Sequence, residues 1–99
     1  MSKKYNFLLV EDNEGDAIIY RSLIERNFAY DVKIEIVKSL GSAVSEINAD
    51  YNFYNLVFLD LNLGDSFGIS TVKTFREYCK NIPIIVVTSE NNQEIMNKA

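Results

Sequence analysis

Glu11, Asp12 and Asp60 each stand directly after an apolar run, Phe7-Leu8-Leu9-Val10 for the first two and Leu56-Val57-Phe58-Leu59 for the third. Continuous apolar runs of this length suit strands of a parallel sheet covered on both faces. In open α/β sheets the functional groups collect beyond the carboxyl ends of neighbouring strands. If the two strands are adjacent, three carboxylates converge in one crevice. Carboxylates packed together repel unless something cationic joins them, and a hard divalent cation with oxygen ligands is the natural candidate. The plainer use of an acidic pair after a strand is a solvated loop, or charge placed near a helix N-terminus.

The elements that must position these groups alternate along the chain. A first strand over about 5–10 is followed by Asn13, a helix cap, and a helix over about 14–26 with Asp16 in its first turn, where the helix dipole favours negative charge. Ala17, Tyr20, Ile24 and Phe28 recur at helical spacing. Val32, Ile34 and Ile36 alternate with Asp31, Lys33 and Glu35, the pattern of a strand with one wetter face, as at a sheet edge. Ser39 then caps a helix in which Leu40, Ala43, Val44 and Ile47 share one face. Asn55 leads into the second apolar run, and a glycine-bearing loop over 61–68 separates Asp60 from a helix over about 69–79 that buries Val72 and Phe75. Pro83 opens a last strand, Ile84-Ile85-Val86-Val87, at a position where a missing N–H is tolerated. Thr88 and Ser89 end it, and Asn91 begins a final helix with Glu94 three residues on. The order βαβαβαβα implies a parallel sheet with right-handed crossovers.

Ninety-nine residues make one domain, 1–99, and the 47% hydrophobic content is ordinary for a globular chain. A net charge of -4, with the Lys and Arg residues scattered, argues against a nucleic-acid partner. The single cysteine, Cys79, excludes an internal disulfide and fits a reducing compartment. No apolar stretch approaches the length of a signal-peptide core or a membrane span, so the expectation is a cytoplasmic protein without a membrane partner.

Four places, in order and spacing, resemble the receiver domains of two-component response regulators, a chemotaxis-regulator-like family. Leu8-Leu9-Val10-Glu11-Asp12-Asn13 is similar to the family's first strand with its acidic pair. Leu56 to Leu63, with Asp60 at its turn, is similar to the strand carrying the phospho-acceptor. Gly68 follows Asp60 at the family's spacing, and Ile84-Ile85-Val86-Val87-Thr88-Ser89 resembles the strand ending in the switch hydroxyl. Val10-Glu11-Asp12-Asn13 with Asp16 is also similar to the single-domain subgroup paired with phytochrome-like kinases. The resemblance implies a flavodoxin-like doubly wound parallel sheet and a phospho-acceptor, not an enzyme beyond intrinsic autophosphorylation and autodephosphorylation. It implies that Asp60 takes a phosphoryl group from a histidine kinase or phosphotransfer protein. Mg²⁺ would be held by Glu11, Asp12, Asp60 and the backbone carbonyl of Asn62. Thr88 would act as switch with the small Ser89 beside it, and output would run through contact with a protein partner. Gly68 would supply a positive φ or a close backbone approach.

Departures from the family accompany the resemblance. Gly64 stands where proline is common, which predicts a looser loop after Asp60, and Phe67 stands where aspartate or asparagine is common. The family's fifth strand and helix have no counterpart before Ala99, and with them the catalytic lysine: none in this chain matches it. The expectation is therefore a C-terminally truncated receiver with strand order 2-1-3-4. Its strand over 84–87 would form an exposed apolar edge, open to dimerisation or segment exchange. A non-phosphorylating docking module, or an engineered fragment of a response regulator, is the alternative. A haloacid-dehalogenase-type phosphatase is disfavoured because Asn62, two residues after the nucleophile, cannot serve as its general acid. A flavodoxin-type flavin site is disfavoured because Glu11-Asp12-Asn13-Glu14 would repel a phosphate.

Overall fold

The computed structural model describes residues 4–28 and 31–87. In chain order the elements are β1 (Lys4–Val10), α1 (Glu14–Asn27), β2 (Asp31–Val37), α2 (Leu40–Ala49), β3 (Leu56–Asp60), β4 (Asn62–Leu63), β5 (Ser66–Phe67), α3 (Ser70–Tyr78) and β6 (Ile84–Val87). The two apolar runs lie side by side: β1 pairs in parallel with β3, Phe7 opposite Leu56 through Val10 opposite Leu59. The other side of β1 pairs with β2 and the other side of β3 with β6, both parallel, giving the order β2-β1-β3-β6. Counted over this large sheet, that is the expected 2-1-3-4 order of a flavodoxin-like receiver fold.

The two central strands are apolar on both faces because both faces are covered. Leu8, Val10, Val57 and Leu59 pack with Ala43 and Ile47 of α2 and Phe75 of α3. Phe7, Leu9 and Phe58 point the other way, into a second cluster with Ala17 and Ile24 of α1. Alternating side-chain direction along each strand divides one apolar run between two cores. β2 is an edge, as its polar alternation predicts: Ile34 is buried while Asp31, Lys33 and Glu35 are exposed. Phe28, the last of the helical-spacing residues, stands edge-on to Phe7 with ring centroids 5.0 Å apart.

The helix starts are made locally. Asn13 Oδ1 accepts from the Asp16 N–H at 2.9 Å, and Ser39 Oγ accepts from the Ser42 N–H at 3.0 Å. Each meets a donor that a helix leaves without an internal partner. α3 has no such cap and begins at Ser70 rather than 69; it buries Thr71 and Phe75, while Val72 is half-buried against the core. Arg76 Nη1 donates to the carbonyls of Cys79 and Ile82 at 3.0 and 2.9 Å, folding the chain back towards β6.

The segment 61–68, expected as a glycine-bearing loop, contains a short hairpin. Leu63 pairs with Ser66 and Asn62 with Phe67, so β4 and β5 form an antiparallel hairpin with Gly64 and Asp65 at its tip. Its base is closed by the Gly68 N–H on the Leu61 carbonyl at 2.8 Å. Gly68 has φ +68°, as the sequence suggests, in the left-handed region that disfavours a side chain. Thr88, Ser89 and the helix expected from Asn91 lie outside the described residues.

Phe75 is fully buried between the sheet and α2. Phe75→Ala should destabilise the protein by about 3–5 kcal/mol, the range for removing a core aromatic ring. Urea denaturation of the two proteins measures the difference, and a loss below about 1 kcal/mol would mean that this core is not packed as described.

Candidate metal centre

The register of β1 against β3 builds the site. Val10 lies opposite Leu59, so the next residues along, Glu11 and Asp60, leave the sheet together. The Glu11 N–H still donates to the Val37 carbonyl at 2.9 Å, which holds the backbone in line one residue beyond β1. Asp12, the following residue, is exposed. One carboxylate oxygen from each of Glu11, Asp12 and Asp60 lies within 4.8 Å of the others. The sequence expectation of three converging carboxylates is met.

Two of the three are out of water: Glu11 is 1% and Asp60 0% exposed. Each turns one oxygen to the backbone N–H two residues ahead, Glu11 Oε2 to Asn13 at 3.2 Å and Asp60 Oδ1 to Asn62 at 3.2 Å. The remaining oxygens, Glu11 Oε1 and Asp60 Oδ2, are buried with no hydrogen-bond partner. Buried carboxylate oxygens without donors are costly unless a cation takes them up. An all-oxygen donor set of two buried carboxylates and one at the mouth fits a hard divalent ion such as Mg²⁺, which retains several waters. The site's residues thus fit the cation the sequence implied.

The electrostatics carry the same strain. Burial, assisted by the neighbouring negative charge of Asp60, pushes the Glu11 carboxyl up to about 8, against the pull of the Asn13 N–H. Burial also raises Asp60, opposed by the Asn62 N–H. The metal-free pair therefore holds a proton more firmly than free carboxyls do. Tyr20 of α1 feels the same charges: burial first, then Glu11 and Asp60, push its hydroxyl up to about 12.

Some neighbours escape a reading of the sequence. Tyr20 reads as one more apolar position of α1, because nothing in its spacing says that its hydroxyl feels the charge of the acids. Lys38, one residue past β2, reaches Glu14 at 2.7 Å across an exposed gap. Asp65, at the hairpin tip, accepts from the Leu40 and Gly41 N–H groups of α2, both at 3.0 Å, and these two bonds hold its carboxyl below the usual range. Of the expected switch pair, Thr88 and Ser89 are outside the described residues, but Val87 immediately before them pairs with Asp60.

Residues 7–99 match the family model of the response regulator receiver domain. The chain belongs to that family. Receiver domains are phospho-acceptors rather than enzymes in the ordinary sense, bind Mg²⁺ at an acidic site, and interact with histidine kinases or phosphotransfer proteins and with output partners. Among solved structures, the response regulator MaeR bound to beryllium trifluoride is 28% identical, with a TM-score of 0.70 over 95% of this chain and 75% of that one. The phosphorylated cyanobacterial phytochrome response regulator RcpA shares the fold, with a TM-score of 0.74 at 21% identity over 97% of this chain and 75% of that one. Transcription factor SKN7 of Chaetomium thermophilum is 30% identical over 95 residues, which are 96% of this chain but 12% of that protein. The receiver thus spans about an eighth of the length of the curated relative it matches. Among the described residues no helix is long and apolar enough to cross a membrane.

Raised carboxyl groups fix the sign of a pH dependence. The folded, metal-free receiver retains a proton that the unfolded chain has already released. The associated stability is complete below the ordinary glutamate value of 4.5 and is lost as pH rises towards about 8. Thermal melts in chelator should show Tm falling through that window, and Mg²⁺ should flatten the slope. Asp60→Asn removes one of two buried like charges and should stabilise the metal-free receiver at pH 8 by on the order of 1–3 kcal/mol while abolishing the Mg²⁺ gain. A metal-free Tm independent of pH would contradict this account of the pair.

Proposed function

We propose that this receiver accepts a phosphoryl group onto Asp60 from the phosphohistidine of a histidine kinase or phosphotransfer protein. A carboxylate oxygen of Asp60 attacks the phosphorus of a phosphohistidine whose other ring nitrogen carries a proton, the phosphorus–nitrogen bond breaks with its electron pair staying on that nitrogen, and neutral imidazole departs as an aspartyl phosphate forms. The observation that carries the reading is the pair of buried, unpartnered oxygens on Glu11 and Asp60, set at the ends of adjacent parallel strands in a member of the receiver family.

Glu11, Asp12, Asp60 and the backbone carbonyl of Asn62 hold Mg²⁺ in this reading. A bound Mg²⁺ supplies neutralisation of the acids and of the charge developing on the phosphoryl oxygens. Asp60 presents the nucleophile, and the Asn62 N–H on its Oδ1 fixes the carboxylate plane. Thr88 then donates its hydroxyl to a phosphoryl oxygen, with the small Ser89 leaving the approach open. The pairing of Val87 with Asp60 supports this, because it brings the chain before Thr88 alongside the acceptor. The resulting shift of the loop changes which protein partner is bound. The cytoplasm is the compartment this reading favours, and there the free, buried Cys79 stays reduced.

Intact-protein mass after incubation with acetyl phosphate and Mg²⁺ tests the acceptor. A phosphoryl adduct that requires Mg²⁺ and is absent from Asp60→Asn is expected; no adduct on a folded protein would leave a docking module instead. The outer side of β6 carries no strand among the described residues, and Ile85 on it is 42% exposed. Such an edge favours pairing with a second copy. Size-exclusion elution should move towards the dimer as concentration rises, and a fixed monomer position across the series would remove that part of the reading.

A further inference from the structure

We infer that Asp65 is a positioning residue for the acidic site, holding the hairpin that begins at Asn62 in place by docking its tip on the first turn of α2. The inference rests on the reading of Asp60 as acceptor and of Asn62 as a metal ligand, and it concerns how their geometry is maintained.

The contact joins parts of the chain far apart in sequence. Asp65 Oδ1 accepts from the Leu40 N–H and Oδ2 from the Gly41 N–H, each at 3.0 Å. A carboxylate on two backbone donors at a helix N-terminus is a charge-assisted, geometrically defined bond. α2 already has its own cap, since Ser39 Oγ accepts from the Ser42 N–H at 3.0 Å and the Ala43 N–H reaches the Ser39 carbonyl at 3.1 Å. Asp65 takes the two donors these leave over, so its bonds tie the hairpin to the helix as much as they cap it.

The hairpin is thereby held at both ends. At its base the Gly68 N–H closes on the Leu61 carbonyl at 2.8 Å, and at its tip Asp65 closes on α2. Asn62 lies between them, with its N–H on Asp60 Oδ1. The same connection between β2 and α2 also meets the other wall of the site, because the Glu11 N–H donates to the Val37 carbonyl at 2.9 Å. The Val37 carbonyl thus bears on Glu11, and the Leu40 and Gly41 N–H groups bear, through Asp65, on the loop leaving Asp60. Gly64, beside Asp65, has nothing within 4 Å of where a side chain would begin, so packing of that neighbour does not hold the tip.

The test compares Asp65→Ala, Asp65→Asn and Ser39→Ala with the wild-type receiver. Calorimetric Mg²⁺ titration gives the dissociation constant, thermal melts give stability, and acetyl phosphate labelling at low and saturating Mg²⁺ gives acceptance. Asp65→Ala should raise the Mg²⁺ Kd roughly tenfold, the scale for losing an outer support of a metal site. Its labelling should slow most at low Mg²⁺. Asp65→Asn keeps one acceptor oxygen and should fall between; it also serves if the alanine variant does not fold. Ser39→Ala weakens the same helix start without touching the hairpin, so it should lower Tm and leave Kd at the wild-type value. An unchanged Kd in the Asp65 variants, or an equal rise in Ser39→Ala, overturns the inference while the acceptor reading stands. A folded wild-type receiver that takes neither Mg²⁺ nor a phosphoryl group overturns both.

Discussion

Glu11 and Asp60 face each other at the ends of neighbouring strands in a space closed to water, and each has one oxygen that no protein donor reaches. Two carboxylates cannot both be ionised there without a cation, so the arrangement is tolerable only as a proton-sharing pair or as a filled site. Most of the fold can be read as what is needed to maintain that contact. β1 and β3 must be adjacent and parallel, because only then do two chain segments leave the sheet side by side at the same end. Their register must also hold, since a slip of one residue would send one acid to the opposite face. That register is secured by apolar residues that alternate into two separate cores, each covered by helix.

Beyond Asp60 the chain has a second constraint. It must turn away sharply enough to leave Asp60 Oδ2 without a protein donor, yet stay close enough for the Asn62 N–H to reach Oδ1. A two-residue strand, a tight tip and a glycine at φ +68° accomplish this within eight residues. Thr71 at the start of α3 contributes from below: its fully buried hydroxyl pairs with Ser66 Oγ at 2.6 Å. The hairpin is held by these polar contacts and by the one buried Leu63, too little apolar surface for periodicity to reveal.

This is why the sequence shows one part of the molecule and hides another. Apolar runs long enough to be buried on both faces mark β1 and β3, and the alternation at 32–36 marks an edge, because burial of many residues leaves a periodic trace. Asn13 and Ser39 are visible as caps because their partners lie three residues away. The converging acids are legible for the same reason, since each follows a recognisable strand. β4 and β5 are too short to show any period, and a glycine-rich stretch reads as irregular. Asp65 caps a helix that begins twenty-five residues earlier, a relation that depends on tertiary placement alone. Tyr20 looks like a core residue in the pattern of α1, and its coupling to the acids exists only once α1 is packed beside them. The pattern puts Val72 inside with Phe75, whereas the buried side of α3 follows Thr71, Phe75 and Cys79 at i, i+4 spacing and leaves Val72 at its margin.

The strained pair also links the site to the stability of the whole domain. A cation that binds the folded state alone adds stability as the logarithm of its concentration over Kd. Here it does so at residues whose repulsion otherwise opposes the pairing of the two central strands. Binding and folding thus draw on the same contact, and any support that keeps the acids close raises cation affinity and repulsion together. A rigid frame around the acids strengthens the empty site's repulsion, whereas a pliable one lets the carboxylates move apart and weakens the cation's hold. The β2–α2 connection, bonded to Glu11 through Val37 and to the hairpin through Asp65, lies on the rigid side of that balance. It fits a domain that keeps its acids poised for a divalent ion rather than relaxing when the ion is absent.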